Sequence, residues 1–226
     1  MSLFEARTVS CPRCGLQHNE QIATSLKPTF KDAILKGTFQ HFTCEKCGHS
    51  YRVEDPLMYI DFNKKLWIAQ YPRAWEKDWD QYELIAKQNF DQYVTGEFAS
   101  PLALQLAPGF AIRTVFGLDA LAEKIIVLEN KIDDSLLAVL KWQIMQQVEG
   151  LLFSPAARPL LIAVANGELV FRVRVANAET EIITLPLEDA FDDISGDDTS
   201  LWATMIKDLA GHTYIDTGIW MFNASG

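Results

Sequence analysis

The sequence lacks any long apolar run. Its longest uninterrupted apolar stretch, Leu160–Ala165, has six residues, whereas about 20 are needed for a helix to cross a bilayer. The first nine residues also lack the apolar segment of a secretory signal. These two absences predict a soluble protein of the cytoplasm that has no membrane partner.

Basic residues are scarce as well. The 226-residue chain carries 20 Lys and Arg against 30 Asp and Glu, a net charge of −10. Residues 1–75 hold ten basic and seven acidic residues, whereas residues 76–226 hold ten and twenty-three. Proteins that follow nucleic-acid phosphates concentrate Lys and Arg on one face. The acidic charge therefore disfavours a nucleic-acid partner, although the first 75 residues are mildly basic.

Recognisable catalytic motifs are missing too. The sequence contains no Gly-x-Ser-x-Gly element, no P-loop and no dinucleotide-binding fingerprint. Its four histidines, His18, His41, His49 and His212, do not have the spacing of a catalytic or metal-binding set. His18 and His49 each follow a cysteine pair, so we expect them to form a polar rim at one end of the molecule, with a second metal-binding pair as the alternative. No catalytic or cofactor-binding residue is predicted, and the sequence points away from an enzyme.

The chain has only four cysteines, and all of them lie in two Cys-x-x-Cys-Gly motifs. The motifs span residues 11–15 and 44–48, and 29 residues separate the two cysteine pairs. Such a loop can curl around a metal ion, because glycine accepts a positive φ and backbone N–H groups then point at the sulfurs. Two disulfides would need an oxidising compartment, and a redox dithiol needs only one pair. The duplication therefore predicts one metal site, with the ligands Cys11, Cys14, Cys44 and Cys47.

Zinc is the metal that this donor set favours. Four thiolates bind Zn²⁺ tetrahedrally at about 2.3 Å and leave no position for water or substrate. Such a site stabilises a fold, and loss of one cysteine is expected to unfold the first sheet. Iron is the alternative, because the separation of the pairs resembles that of the rubredoxin electron carriers. Residues 16–19, which follow the first pair, lack the aromatic side chains that rubredoxins have there, and this favours zinc.

Hydrophobic patterning predicts an α+β fold. Extended segments are expected at residues 21–27, 38–43, 50–53, 57–61, 66–71 and 111–116. The cysteine motifs would lie at the ends of a small antiparallel sheet. A stripe with helical spacing predicts an amphipathic helix that packs on this sheet, with an exposed aromatic docking face as the alternative. The stripe consists of Trp75, Trp79, Tyr82, Ala86, Phe90 and Tyr93.

The second half of the chain is expected to combine helices with antiparallel strands. Two prolines and two glycines at residues 96–110 predict a boundary between a zinc-ribbon-like region, 1–100, and an α+β region, 101–226. Asn166-Gly167 suits a type I′ turn between two strands. Further expected strands are 181–185 and 214–222, and the expected helices are 118–130, 133–149, 187–194 and 200–210.

Several segments taken together resemble one known family. They are residues 11–15 and 44–48, residues 55–61 followed by Lys64-Lys65, and residues 113–140 with Gly117-Leu118 and Ile132-Asp133-Asp134. The pattern is similar to the CpXC-domain proteins of bacteria and archaea over about residues 8–140. This resemblance implies metal binding through the two cysteine pairs and implies no known reaction. Glu45 stands where that family commonly has proline.

The expected function is therefore that of a structural-zinc-binding protein. Because the site is closed and catalytic motifs are missing, we expect a protein-interaction or regulatory module, with the acidic second half as one contact face. A nucleic-acid-binding zinc ribbon and a rubredoxin-like iron electron carrier are the alternatives.

Overall fold

The computed structural model describes residues 2–147, 151, 154–175, 180–195 and 200–223. The contacts between residues divide the chain into two compact units, Met1–Leu121 and Ala122–Gly226. Both units combine helices with strands, which confirms the α+β class. None of the described helices is both long enough and apolar enough to cross a membrane.

The first unit contains a mixed five-stranded sheet of order β1-β2-β5-β6-β7 and a separate hairpin of β3 and β4. The pairs β2/β5 and β6/β7 are parallel, and the remaining pairs are antiparallel. A π-helical turn, Asp91–Thr95, extends α2. The elements are β1 (Leu3–Ser10), β2 (Gln17–Leu26), α1 (Lys31–Leu35), β3 (His41–Thr43), β4 (Ser50–Arg52), β5 (Leu57–Asp61), β6 (Leu66–Tyr71), α2 (Trp79–Phe90), α3 (Pro101–Leu106) and β7 (Ala111–Phe116).

The most buried strand of this sheet is β6, which lies between β5 and β7 and is buried at all six positions. Its nearly continuous apolar sequence allows both faces of the strand to be covered. On α2, the predicted stripe is buried in its middle, at Trp79, Ala86 and Phe90. Its two ends are exposed, with Trp75 at 37% and Tyr93 at 55%. The amphipathic helix therefore exists, but its apolar stripe extends beyond the surface that the sheet covers.

The cysteine motifs lie on two hairpins, which corrects the expectation that they sit at the ends of one small sheet. The first motif is the turn between β1 and β2, and the second is the turn between β3 and β4. Patterning did not predict β1, because seven of its eight residues are exposed and its apolar residues Leu3, Phe4, Ala6 and Val9 do not keep to one face of the strand. The predicted domain boundary near residue 100 stays a prediction. Helix α3 lies just beyond it, and β7 pairs with β6 of the first unit.

The second unit packs helices against a three-stranded antiparallel sheet of order β10-β9-β8. Asn166 and Gly167 have φ angles of 54° and 79°, as a type I′ turn requires. Leu140, Leu161 and Phe171 are among its buried core residues. Its elements are α4 (Leu118–Glu129, from Ala122 onward), α5 (Asp134–Gln147), β8 (Leu160–Ala165), β9 (Glu168–Arg174), β10 (Thr180–Pro186), α6 (Asp192–Ser195), α7 (Leu201–Asp208) and α8 (Gly218–Asn223).

Two predictions for this unit were wrong. Helix α8 occupies most of the segment that was expected to be a strand at residues 214–222, because a short apolar run does not by itself distinguish the two periods. The helix expected at 187–194 is reduced to α6, and turns precede it. The end of the helix predicted at 133–149 lies outside the described residues.

A network of buried charges crosses the second unit. Lys141 Nζ donates to Glu123 Oε1 and to Asp216 Oδ2, both at 2.7 Å. Arg158 donates to the other oxygen of Asp216 at 2.8 Å, and Lys124 pairs with Asp134. Each buried charge thus has a partner of opposite sign, which offsets the cost of removing it from water.

Candidate metal centre

The two cysteine loops have the same backbone geometry. In the first loop the N–H of Cys11 donates to Leu16 O, and the N–H of Gly15 donates to Cys11 O, both at 2.9 Å. The second loop repeats both hydrogen bonds at the same lengths. Gly15 and Gly48 have φ angles of 70° and 66°, a backbone conformation that residues with a side chain rarely adopt. The glycine in each motif therefore allows the loop to close.

The four predicted ligands lie together. Their Sγ atoms are all within 4.8 Å of one another. The sulfurs of Cys11 and Cys47 are 3.7 Å apart, and those of Cys14 and Cys44 are 3.6 Å apart. A tetrahedron with metal–sulfur bonds of about 2.3 Å has edges of about 3.8 Å, so the donor set fits a zinc-sized ion.

The sulfurs are enclosed on one side by a small apolar cluster. Cys11 and Cys44 are 2% and 1% exposed, whereas Cys14 and Cys47 are half-buried. Tyr51 is the other buried member, and its ring is stacked with that of His49 at 6.2 Å. The partly buried side chains of this cluster are Leu16, Phe42 and Val53.

A chain of hydrogen bonds connects the two hairpins beside the sulfurs. His18 Nε2, on β2, is hydrogen-bonded to the hydroxyl of Tyr51, on β4. Its other ring nitrogen, Nδ1, lies 2.9 Å from Glu20 Oε1. The histidines that follow the two motifs both contact Tyr51, in line with the expected polar rim. Within the described part of the chain, only the four cysteines form a cluster that could hold a metal ion.

The backbone around the second loop affects the thiol pKa values. The N–H of Cys47 is the largest cause that lowers the pKa of Cys44 to about 6. The N–H of His49 favours the Cys47 thiolate, but burial and the neighbouring cysteines raise the pKa of Cys47 to about 11. In the metal-free site Cys44 therefore favours the thiolate at neutral pH, whereas Cys47 favours the thiol. Because the metal ligands are thiolates, metal binding must displace thiol protons and is expected to weaken as the pH falls.

The two hairpins and their converging sulfurs define a four-cysteine ribbon of the kind that can hold a metal ion. The chain belongs to the CpXC protein family, whose model matches residues 9–141. The match confirms the resemblance seen in the sequence and includes all four cysteines, but it leaves most of the second unit outside. Comparison with the curated proteins found no significant match, and comparison with the solved structures found none either.

Replacing Tyr51 with phenylalanine tests whether the hydrogen bond between the hairpins prepares the site for metal. The variant keeps the ring but loses the contact with His18, and a net hydrogen bond contributes about 0.5–1.5 kcal/mol. We expect metal affinity to fall by up to about tenfold, measured by competition with a chelator. Tyr93→Phe, on an exposed tyrosine, is the control and should bind metal like the unmodified chain. Equal affinities for Tyr51→Phe and the control would contradict the prediction.

Proposed function

We propose that this chain binds one Zn²⁺ through its four cysteines, and that the ion stabilises a ribbon within a protein-interaction module. The match between two sulfur–sulfur distances, 3.6 and 3.7 Å, and a tetrahedral thiolate site supports a four-sulfur metal site. The lack of aromatic side chains at residues 16–19 favours zinc over iron in that site. When bound, the ion would supply cross-linking between the two hairpins.

A structural role follows from the ligand set and from the size of the hairpins. Four thiolates complete a tetrahedral zinc site, so no position remains for substrate. The β3–β4 hairpin has only three residues in each strand, and isolated hairpins are at best marginally stable. Metal binding in small zinc modules supplies on the order of 10 kcal/mol or more. This is enough to hold both hairpins in place.

Elemental analysis of the full chain, expressed without an affinity tag that binds metal, tests this assignment. We expect one zinc per chain, no iron and a colourless protein. A coloured protein with one iron per chain and a reversible change on reduction would favour the electron-carrier alternative and overturn the proposal. A protein without stoichiometric metal would overturn both.

An exposed apolar surface on the first unit supports a protein partner. We call the side chains of Tyr93, Phe98, Leu102 and Leu104 the 93–104 surface; they are 55%, 61%, 63% and 48% exposed. The rings of Tyr93 and Phe98 are 6.2 Å apart, and neighbouring apolar side chains that are exposed in this way are typical of protein-binding sites. The exposed carboxylates Asp91 and Glu97 lie in the same segment. They favour a partner with an apolar centre and a basic rim, and they would repel nucleic-acid phosphates.

Substitution of this surface tests the interaction. Cross-linking in cells should yield a partner protein with the unmodified chain, and Phe98→Ser/Leu102→Ser should reduce its yield at least about tenfold, as expected when hot-spot side chains are lost. Leu201→Ser is the matched control, because Leu201 is 65% exposed but belongs to the second unit. Retention of the partner by the double variant would contradict the assignment, as would recovery of nucleic acid alone.

One observation favours the nucleic-acid alternative. Arg13 and Lys46 are exposed in the two cysteine loops, where they could contact phosphates. However, residues 1–121 contain 13 basic and 14 acidic residues, so this unit has no excess of positive charge. Salt-dependent binding of the full chain to DNA or RNA would support the alternative.

A further inference from the structure

Strand β1 forms an open edge of the five-stranded sheet. It pairs with β2 on one side, and no strand among the described residues pairs with its other side. Seven of its eight residues are exposed, including Leu3 at 52% and Phe4 at 39%. A long open edge presents a row of N–H and C=O groups with which another strand can pair.

The register with β2 shows which backbone groups face this open edge. The hydrogen bond from Cys11 N to Leu16 O continues the ladder that pairs Val9 with His18 and Arg7 with Glu20. In an antiparallel pair every second residue exchanges hydrogen bonds with its neighbour. The register is regular from Phe4 onward and shifts between Leu3 and Phe4. Glu5, Arg7 and Val9 therefore bond to β2, and the even-numbered residues Phe4, Ala6 and Thr8 direct their N–H and C=O groups outward.

The charges on β1 are complementary to a second copy of the same strand. If two copies run antiparallel about a two-fold axis at Ala6, Glu5 of each copy lies opposite Arg7 of the other. This register also places even-numbered residues opposite each other, as the outward-facing groups require. Glu5 and Arg7 then occupy non-hydrogen-bonded pairs, in which opposing side chains come closest.

The neighbouring registers are unfavourable. A shift of two residues in one direction places Glu5 opposite Glu5 of the second copy, and a shift in the other direction places Arg7 opposite Arg7. Like charges directly opposite each other destabilise a strand pair. The sequence of β1 thus selects one arrangement from those that its backbone permits.

We propose that two copies of this chain associate through β1, antiparallel about Ala6, so that their five-stranded sheets form one ten-stranded sheet. The ion pair between Arg7 and Glu5, 2.8 Å within one chain, becomes part of a group of four alternating charges. Leu3 lies opposite Val9 of the second copy. In each copy Cys11 follows the axis by five residues, so the two Cys11 residues are about 34 Å apart along the strands.

The interface is expected to be small. Only the residues from Leu3 to Val9 pair on each side, and a contact of this size lies at or below the roughly 1,200 Å² of weak, transient interfaces. The dimer should therefore form as the protein concentration rises. This association depends on β1 and does not require the proposed zinc function.

Charge exchange on β1 tests the proposal. In sedimentation experiments on the full, metal-loaded chain, the dimer fraction should rise with concentration. Glu5→Arg and Arg7→Glu should each weaken dimerisation at least about tenfold, because each places like charges opposite one another. The double variant Glu5→Arg/Arg7→Glu keeps the net charge and restores the opposite pairs, so it should dimerise like the unmodified chain.

A backbone variant provides a second, independent test. Ala6→Pro removes an N–H that faces outward and should abolish the dimer while leaving the hydrogen bonds to β2 in place. Ala6→Ser keeps this N–H and should dimerise normally. The proposal is overturned if the unmodified chain is monomeric at all concentrations, if the single charge variants leave the dimer unchanged, or if the double variant remains monomeric.

Discussion

Replacing Cys44 with serine is expected to abolish stoichiometric metal binding and to unfold the β3–β4 hairpin and the two cysteine loops. Cys44 is buried beside Cys11 and Tyr51 in a cluster of only three buried residues. A cluster of this size cannot offset the conformational entropy of the loops without metal. The loss should be large, because metal binding in small modules contributes on the order of 10 kcal/mol or more.

The five-stranded sheet should survive this substitution. Its fully buried side chains include Ile22, Leu26, Tyr59 and Ile68, and none of them belongs to the cluster around the sulfurs. This expectation is narrower than the sequence-based one, in which loss of a cysteine unfolds the whole first sheet. The difference arises because the second motif lies on a hairpin outside that sheet.

Hydrogen exchange together with metal analysis checks the result. The amides of Gly15, Gly48 and Cys44, which are hydrogen-bonded within the loops, should lose protection, and those of β5 and β6 should keep it. Glu45→Ser, on an exposed residue of the same loop, should retain both metal and protection. Full metal content in Cys44→Ser, or loss of protection throughout the sheet, would contradict this prediction.

The sequence predicted the elements whose local pattern agrees with their final environment. Strands β5, β6 and β7 have the expected bounds, because each is a short apolar run ended by turn residues or glycine. Strand β1 was missed for the opposite reason, since its exposed position leaves no periodic pattern to detect. Helix α8 was predicted as a strand because the apolar run that forms it fits either period.

The candidate metal centre was predictable in its ligands but not in its surroundings. The spacing of the cysteines identifies all four, since few structures other than a metal loop use that pattern. The contact between His18 and Tyr51 joins residues 33 positions apart, and it depends on how two hairpins meet. Similarly, Lys141 and Asp216 are 75 positions apart, and neither residue differs by local pattern from an ordinary surface charge.

Replacing Lys141 with methionine is expected to destabilise the second unit by about 3–5 kcal/mol at neutral pH, the usual cost of leaving a buried charge without its partner. Methionine fills similar volume but leaves Glu123 without its cationic partner and Asp216 with Arg158 alone. Burial acts to lower the pKa of Lys141, but the carboxylates of Asp216 and Glu123 raise it. The lysine is therefore charged in the folded protein, and its removal leaves excess negative charge.

The pH dependence follows from the carboxylates. Although burial acts to raise it, Arg158 and Lys141 hold the pKa of Asp216 well below its ordinary value. In the unmodified chain this aspartate contributes stability above its unfolded pKa, near pH 4, and the contribution is lost as the pH falls through the lower folded value. Burial raises the pKa of Glu123 above its ordinary value even though Lys141 acts to lower it. In the variant, which lacks Lys141, protonation of Glu123 as the pH falls neutralises its unpaired carboxylate. The difference in stability between the two chains should therefore shrink from pH 7 to pH 5.

Urea denaturation at pH 7 and pH 5 measures the difference in stability between the unmodified chain and Lys141→Met. A control substitution and a second substitution at Glu123 then identify the cause of this difference. Lys207→Met, on an exposed residue of α7, should change stability by less than about 0.5 kcal/mol. Adding Glu123→Gln to Lys141→Met removes the unpaired charge and should restore part of the loss, whereas simple loss of packing would not be restored. If the loss is the same at both pH values and Glu123→Gln recovers none of it, Lys141 stabilises the unit through its aliphatic contacts and not through its charge.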